Sequence, residues 1–399
     1  MTTARTATPS TARAINDRIA LELLAERGPL TAAQLKEATG LSRPSVADLL
    51  ERLVRSGLVT VVGESGADRR GPNARLYDLL ADRAHVAALD VRTRSVTVAL
   101  ADLTGRTVAR AALPVTADPG PDGSGVVTAA VGTLDRVLQD SGVTALHTVV
   151  MGVPGLVDPA TGALRRVSAL PAWHGELVDA LRGRPGGRVL LENEVNLAGI
   201  AEHRLGAARD RDAFVLLWLG HGVGAAVVLD GVLRRGASGG TGEIGFLPVP
   251  GTGGLPSATG CDGGFHALAG DTAIRALARE HGLAVPATAE ELVRAATGAG
   301  ATGRHREFLQ TLAGRIAVAG AAVTSVLDPG CLVLGGEVGR AGGTVLAAAV
   351  EGRLGALSPL RTEVRPATVE GSPVLSGALV TALDAARTEL FTADAAQRP

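Results

Sequence analysis

FVLLWLGHGVGAAVVLDGVLRRGASGGTGEIGF, residues 214 to 246, is the stretch on which the fold reading turns. Phe214 to Leu219 and Gly224 to Leu229 are apolar runs of strand length, joined by Gly220-His221-Gly222. A glycine there supplies the positive φ that a tight hairpin demands, and such a turn gathers backbone N–H groups that can cradle an anion. Asp230-Gly231 makes a second turn. Gly236, Gly239, Gly240, Gly242 and Gly245 then surround a single carboxylate, Glu243, in a loop too glycine-rich to be core.

Four more motifs lie outward from this stretch: MGVPGLVD (Met151 to Asp158), LLENEVNLAGIAE (Leu190 to Glu202), LDPGCLVLGGEV (Leu327 to Val338) and SGALVTAL (Ser376 to Leu383). In this order and spacing the set resembles the ROK family, sugar kinases and sugar-responsive repressors on an actin-like fold. The resemblance covers residues 85 to 390 or so and implies an α/β, two-lobed, ribonuclease-H-like domain. One lobe is expected over about 85–205 plus a C-terminal helix at 375–390, the other over 206–374.

Composition bounds the class. With 399 residues, 46% of them apolar, more than one sizeable core is possible. Net charge is −1, so any nucleic-acid contact must come from a local patch. Cys261 and Cys331 cannot make a disulfide framework. No apolar run approaches the roughly 18 to 20 residues of a membrane span, and MTTARTATPSTARA lacks the apolar core of a signal peptide. The expectation is a cytoplasmic protein with no membrane partner.

Residues 1–12 read as a disordered tail and 13–80 as a separate domain. Ile15, Ile19, Leu23 and Leu24 give a helical apolar face that stops at Gly28-Pro29. Thr31 caps AAQLKEAT, closed by Gly40, and Ser42 caps a third helix with Pro44 in its first turn. Each such cap is worth about 1 kcal/mol. Val46, Leu49, Leu50, Leu53 and Val54 form the face holding this helix to its neighbour, a helix-turn-helix. The outward face then carries Arg43, Ser45, Asp48 and Arg52, beside the capping Ser42. Two strand-like runs, Leu58 to Val62 and Ala74 to Leu79, flank a polar tip and resemble the wing of a winged helix-turn-helix. Arg69, Arg70 and Arg75 suit phosphates or a narrow minor groove. With ten basic and nine acidic residues over 13–80, placement and not net charge carries the DNA-binding reading. A reader of this size works as a homodimer on paired half-sites.

Against the kinases of the family the chain departs at three places. Where they begin a DxGxT phosphate loop, it reads Asp90-Val91-Arg92-Thr93-Arg94, and Arg92 would fill the space of the glycine that lets amides close on ATP. Arg92 and Arg94 are expected as a solvated pair on a strand edge. Their E-N-D junction, whose Asp is the catalytic base, is here Glu192-Asn193-Glu194. A Glu moves the carboxylate out by about one methylene, and a shift of about 1 Å can cost on the order of 100-fold in rate. Finally, the resemblance implies a zinc loop with one His and three Cys, yet Phe246, Gly254 and Pro256 stand at three of those positions and only Cys261 remains. Gly263 replaces an expected sugar-binding acid, with His266 nearby.

The reading is therefore a transcriptional regulator of carbohydrate-related genes, a repressor, with no catalytic residue, no metal and no cofactor. Its ligand set is Asn193, Glu194 (the altered base position) and Glu243, with Trp173 and His174 on the wall and His266 beside them. Its partners are a double-stranded operator, a sugar or sugar-derived effector, and further copies of itself, as a homodimer or higher homo-oligomer. The rivals are a sugar kinase fused to a DNA-binding domain and a regulator governed by a protein partner.

Overall fold

The computed structural model describes residues 9–65, 74–92, 94–115, 124–165, 171–184, 186–257 and 259–396. They fall into two compact units, one drawn from Met1–Met151, Pro171–Leu190 and Ala378–Pro399, the other from Gly152–Leu170 and Leu191–Gly377.

The first unit opens with α1 (Pro9–Arg27), β1 (Leu30–Thr31), α2 (Ala32–Thr39), α3 (Arg43–Arg55), β2 (Val59–Ser65) and β3 (Ala74–Leu79). Helix α1 is already present at Pro9, inside the stretch expected to be a tail. The caps behave as read. Thr31 and Gln34 form a reciprocal capping box on α2, Gly40 ends it at φ +69°, and Ser42 accepts from Ser45 N–H at the start of α3. The core face of α1 agrees at Leu24, which is buried, and at Leu23, which packs against the same cluster, but differs toward the amino end: Ala20 and Leu21 are buried, while Ile15 and Ile19 are 51% and 39% exposed. Val54 also turns outward, and Val46, Leu49, Leu50 and Leu53 hold α3 in place. β3 is the middle strand of a three-stranded sheet in the order β1-β3-β2, which gives the wing a third strand that alternation alone did not reveal. Arg69 and Arg70 lie outside the described residues. The cluster built on Leu21, Leu35 and Leu53 continues into Leu103 and Phe391, so the three helices share a core with the rest of their unit.

After a short 3-10 turn come β4 (His85–Arg92), β5 (Ser95–Asp102), β6 (Thr107–Pro114), α4 (Ser124–Ser141), β7 (Thr148–Val153), α5 (Trp173–Arg182) and β8 (Arg188–Asn193). They make a five-stranded sheet ordered β6-β5-β4-β7-β8, an antiparallel meander extended by later strands.

The second unit contains α6 (Glu194–Leu205), placed by sequence in the first lobe, then β9 (Phe214–Leu219), β10 (Val223–Leu229) and β11 (Val232–Arg234). It continues with α7 (His266–Ala269), α8 (Asp271–Glu280), α9 (Ala289–Thr297), α10 (Gly303–Leu327), β12 (Cys331–Gly335), α11 (Gly336–Leu357) and β13 (Glu363–Pro366). Its sheet runs β11-β10-β9-β12-β13, with β12 parallel to both neighbours. The β10–β11 hairpin turns at Asp230 and Gly231 with φ of +56° and +72°, the paired positive angles of a type I′ turn. Among the described residues α10 alone is long and apolar enough to cross a bilayer. Its Phe308, Leu312 and Ile316 are instead packed in the core of this unit, against Leu332 and Leu354. α12 (Pro373–Ala396) follows, and from Ala378 onward it belongs to the first unit, as the sequence expected of a C-terminal helix.

Candidate functional site

On the amino-terminal unit, the start of α3 is the exposed polar feature. Ser42, Arg43 and Ser45 are all exposed, and the two serine hydroxyls bond each other at 2.8 Å across the first turn. Arg75 is exposed on β3, opposite Glu64 in the register. Arg52 departs from the expected outward placement. Its side chain is 13% exposed, and its guanidinium bonds Asp17 on α1 at 2.6 Å, with Asp48 as a further partner. The Asp17 hydrogen bond is the main cause holding its pKa above the ordinary arginine value. Arg52 thus ties α3 to α1, leaving Arg43 as the accessible cation at the head of α3.

Trp173 and His174 also differ from their expected role as a ligand wall. They stack at 4.0 Å and are only 2% and 1% exposed, so they are core residues of the first unit. Burial lowers the His174 pKa, Nδ1 reaches Pro171 O at 3.2 Å, and Nε2 finds no partner among the described residues. In the same unit Arg92 is no solvated edge residue: its Nε donates to both carboxylate oxygens of the buried Asp90, at 3.2 Å each. The position of the missing glycine is filled by a cation that neutralises the acid two residues earlier.

In the second unit Asn193, Glu194 and Glu243 line one cavity of about 190 Å3, together with Gly155, Trp218 and Thr241. Larger hollows exist, among them a groove of about 930 Å3 along α11. There Glu351 is already spent on Val364 N–H, whereas the smaller cavity gathers two carboxylates and an amide at one point. The glycines make this convergence possible. Gly239 and Gly242 have φ of +79° and +92°, and a Cβ on them would collide with Val157 O and Ala225 O. Gly242 O accepts from Ala225 N–H at 2.8 Å, which holds the Glu243 loop to β10.

Asn193 caps α6. Its Oδ1 accepts from Val195 N–H at 2.8 Å and Asn196 N–H at 3.3 Å, and its Nδ2 donates to Gly155 O at 2.9 Å. Behind it lies a pair that sequence reasoning missed. Glu192, with its side chain 7% exposed, accepts from Arg235 Nε at 2.6 Å, Asn196 Nδ2 at 2.9 Å and Asn193 N–H at 3.0 Å. Only the place of Glu192 at the head of the E-N-E junction and the double arginine before the glycine loop hinted at it. Glu243 opens onto the cavity, yet protein atoms crowd its carboxyl enough that desolvation raises its pKa. A site of this size, with carboxylates as acceptors, can hold a polyhydroxylated molecule by its hydroxyl groups.

His266 is half-buried behind Gly245, with its pKa lowered chiefly by burial and further by His221. Phe246 is 40% exposed and has no donor atom, Gly254 and Pro256 offer no side-chain ligand, and burial pushes the Cys261 thiol pKa up. This donor set does not fit zinc, and among the described residues no group of three or more His, Cys, Asp or Glu is placed to hold a metal ion.

A winged helix-turn-helix followed by an actin-like domain with a glycine-framed polar cavity defines the class. The chain belongs to the ROK family: the family model matches residues 86–385, and a MarR family model matches residues 16–71. It is 36% identical over 147 residues to the glucokinase of Thermotoga maritima, covering 37% of this chain and 46% of that one. To the DNA-binding transcriptional dual regulator NagC of Escherichia coli K12 it is 23% identical over 239 residues, 59% of this chain and 57% of that one. The chain thus spans about half the length of these curated relatives. A solved ROK family transcriptional regulator, a homologue of the E. coli MLC protein, shares the fold with a TM-score of 0.75 at 19% identity, over 97% of this chain and all of that one. The ROK hexokinase of Thermus thermophilus matches with a TM-score of 0.61 at 25% identity, over 74% and 97%.

Proposed function

We propose that the protein is a DNA-binding transcriptional regulator, a repressor of carbohydrate-related genes, whose ROK domain binds a sugar or sugar-derived effector without phosphorylating it. The observation that carries this reading is the Arg92–Asp90 pair: a phosphate loop needs an open glycine there, and this chain puts a guanidinium on the acid. Glu194 at the base position and the unfit zinc loop point the same way. The exposed head of α3 supplies the contrasting positive feature, since N-terminal residues of a recognition helix are those that reach base edges. NagC and the MLC homologue, both regulators by name, support the assignment.

In this reading a homodimer presents two copies of Arg43 and of Arg75 on β3 to a palindromic duplex, and Arg69 and Arg70, which lie between β2 and β3 in sequence, are proposed as further phosphate contacts. The effector, held by Asn193, Glu194 and Glu243, binds one conformational state better than another and so shifts the population away from the DNA-competent one. The T. maritima glucokinase relative favours a second reading, a kinase fused to a DNA reader, which requires ATP turnover. The deciding experiment is selection of bound duplexes from random fragments, repeated with a panel of sugars and sugar phosphates. Enrichment of a palindrome that one sugar abolishes is the expected result; no enrichment under any condition would refute the regulator.

A further inference from the structure

We propose that Glu337 is a built-in anion that fills the glycine turn of the second unit and makes this domain select against phosphate-bearing ligands. The proposal rests on the sensor reading above and deepens it by fixing the charge class of the effector.

Glycine turns attract anions because successive backbone amides converge where no Cβ intrudes. Gly220-His221-Gly222, between β9 and β10, is a short turn with two bare Cα positions; Gly220 N–H closes it on Gly222 O at 3.1 Å, without the positive φ expected of its glycines, and Trp218 and Gly222 both line the 190 Å3 cavity. The turn already faces a negative charge. A Cβ built on Gly220 would collide with Glu337 Oε2 and lie 3.2 Å from Trp218 Nε1, so the carboxylate rests against the bare Cα beside the indole. Backbone geometry keeps it there. Gly335 of β12 is in register with Trp218 of β9. The next residue, Gly336, has φ +74° and lies so close to Leu219 that a Cβ would strike its carbonyl oxygen. α11 therefore starts pressed against the end of β9, and its first side chain is delivered to the turn. A carboxylate in the first turn of a helix is also favoured by the helix dipole, which lowers the cost of holding the charge there.

A phosphate seated on the turn would meet Glu337 at contact distance. The cavity walls add Glu194 and Glu243, and Arg235, the nearby cation, is engaged by Glu192. Like charges this close in a partly dried site disfavour each other by roughly tenfold or more in affinity.

The test compares full-length wild type, Glu337→Ala and Glu337→Gln by isothermal titration at pH 8 and constant ionic strength. Sodium tripolyphosphate and glucose 6-phosphate are the charged probes; glucose and N-acetylglucosamine are the uncharged ones. Wild type should bind tripolyphosphate more weakly than both variants by roughly tenfold or more, and uncharged sugars should change by less than about twofold. Glu337→Gln keeps the side-chain length, so it carries the test if the alanine variant does not fold. A carboxylate that merely stabilises the helix start would move the melting temperature of the variants and leave ligand selectivity alone. Tripolyphosphate binding to wild type as tight as to the variants, or no gain in either folded variant, would overturn the proposal. If the variants gain the anion while no uncharged sugar binds any form, Glu337 stands and the sugar-sensor reading falls.

Discussion

Replacing Arg235 with Met tests whether the cavity depends on the buried carboxylate behind it. Glu192 has three donors, at 2.6, 2.9 and 3.0 Å, and only the Arg235 Nε brings positive charge. Removing one partner of a fully buried pair costs about 3–5 kcal/mol. Arg235 is 42% exposed, however, so water screens much of the interaction and the expected loss falls to about 1–2 kcal/mol. Urea unfolding of wild type, R235M, E192Q and the double variant gives the number as a double-mutant cycle. The coupling should be about 1 kcal/mol or more, because a neutral amide at 192 no longer needs the guanidinium. Effector affinity should fall alongside, since Glu192 also positions the Asn193 backbone and the Asn196 side chain. Additive single effects, with coupling under about 0.3 kcal/mol, would show that the pair does not organise the site.

Arg43 and Arg52 should separate cleanly. Arg43→Ala should weaken operator binding by about 1–3 kcal/mol with an unchanged melting temperature, read by fluorescence anisotropy across a salt series. Arg52→Ala should destabilise the fold by about 2 kcal/mol through Asp17, read by thermal unfolding. For Glu243 the raised pKa means that the folded state disfavours the ionised form. That cost is present above the folded pKa and disappears as pH falls below the ordinary glutamate range. Glu243→Gln should therefore melt higher than wild type at pH 7–8, with the two curves merging near pH 4; a gain confined to acid pH would reverse the sign of the argument. Gly242→Ala, which drives a Cβ into Ala225 O at φ +92°, should cost at least about 3 kcal/mol in urea unfolding. Gly231→Ala, with positive φ but open space, should cost only about 1 kcal/mol.

What was legible in the sequence was local. Strand runs, capping residues and glycine turns act within a few residues, so Thr31, Ser42, Asp230-Gly231 and the Gly239–Gly242 loop behave as the chain order implies. The wider architecture followed from several motifs in sequence order. What stayed hidden depends on partners far along the chain. Arg52 looks outward on a helical wheel until Asp17, on another helix, takes it. Trp173 and His174 open an amphipathic segment, and only packing shows that they lie on its buried side. Helix α1 carries two plausible apolar faces of the same period, and contact with α2 and β3 selects Leu21 and Leu24 over Ile15 and Ile19. Glu337 drew no separate reading, because nothing near it in sequence shows that Gly220 is its neighbour.

The central claim is that a domain built like a sugar kinase no longer transfers phosphate and serves a DNA reader instead. Turnover tests it most directly: the full-length chain at high concentration, with ATP, Mg2+ and a panel of hexoses and N-acetylhexosamines, followed by product formation. The account predicts less than one phosphorylated sugar per enzyme over an hour. Sustained phosphorylation of any of these sugars at about 1 s−1 or faster, within the range of ordinary enzymes, would contradict it.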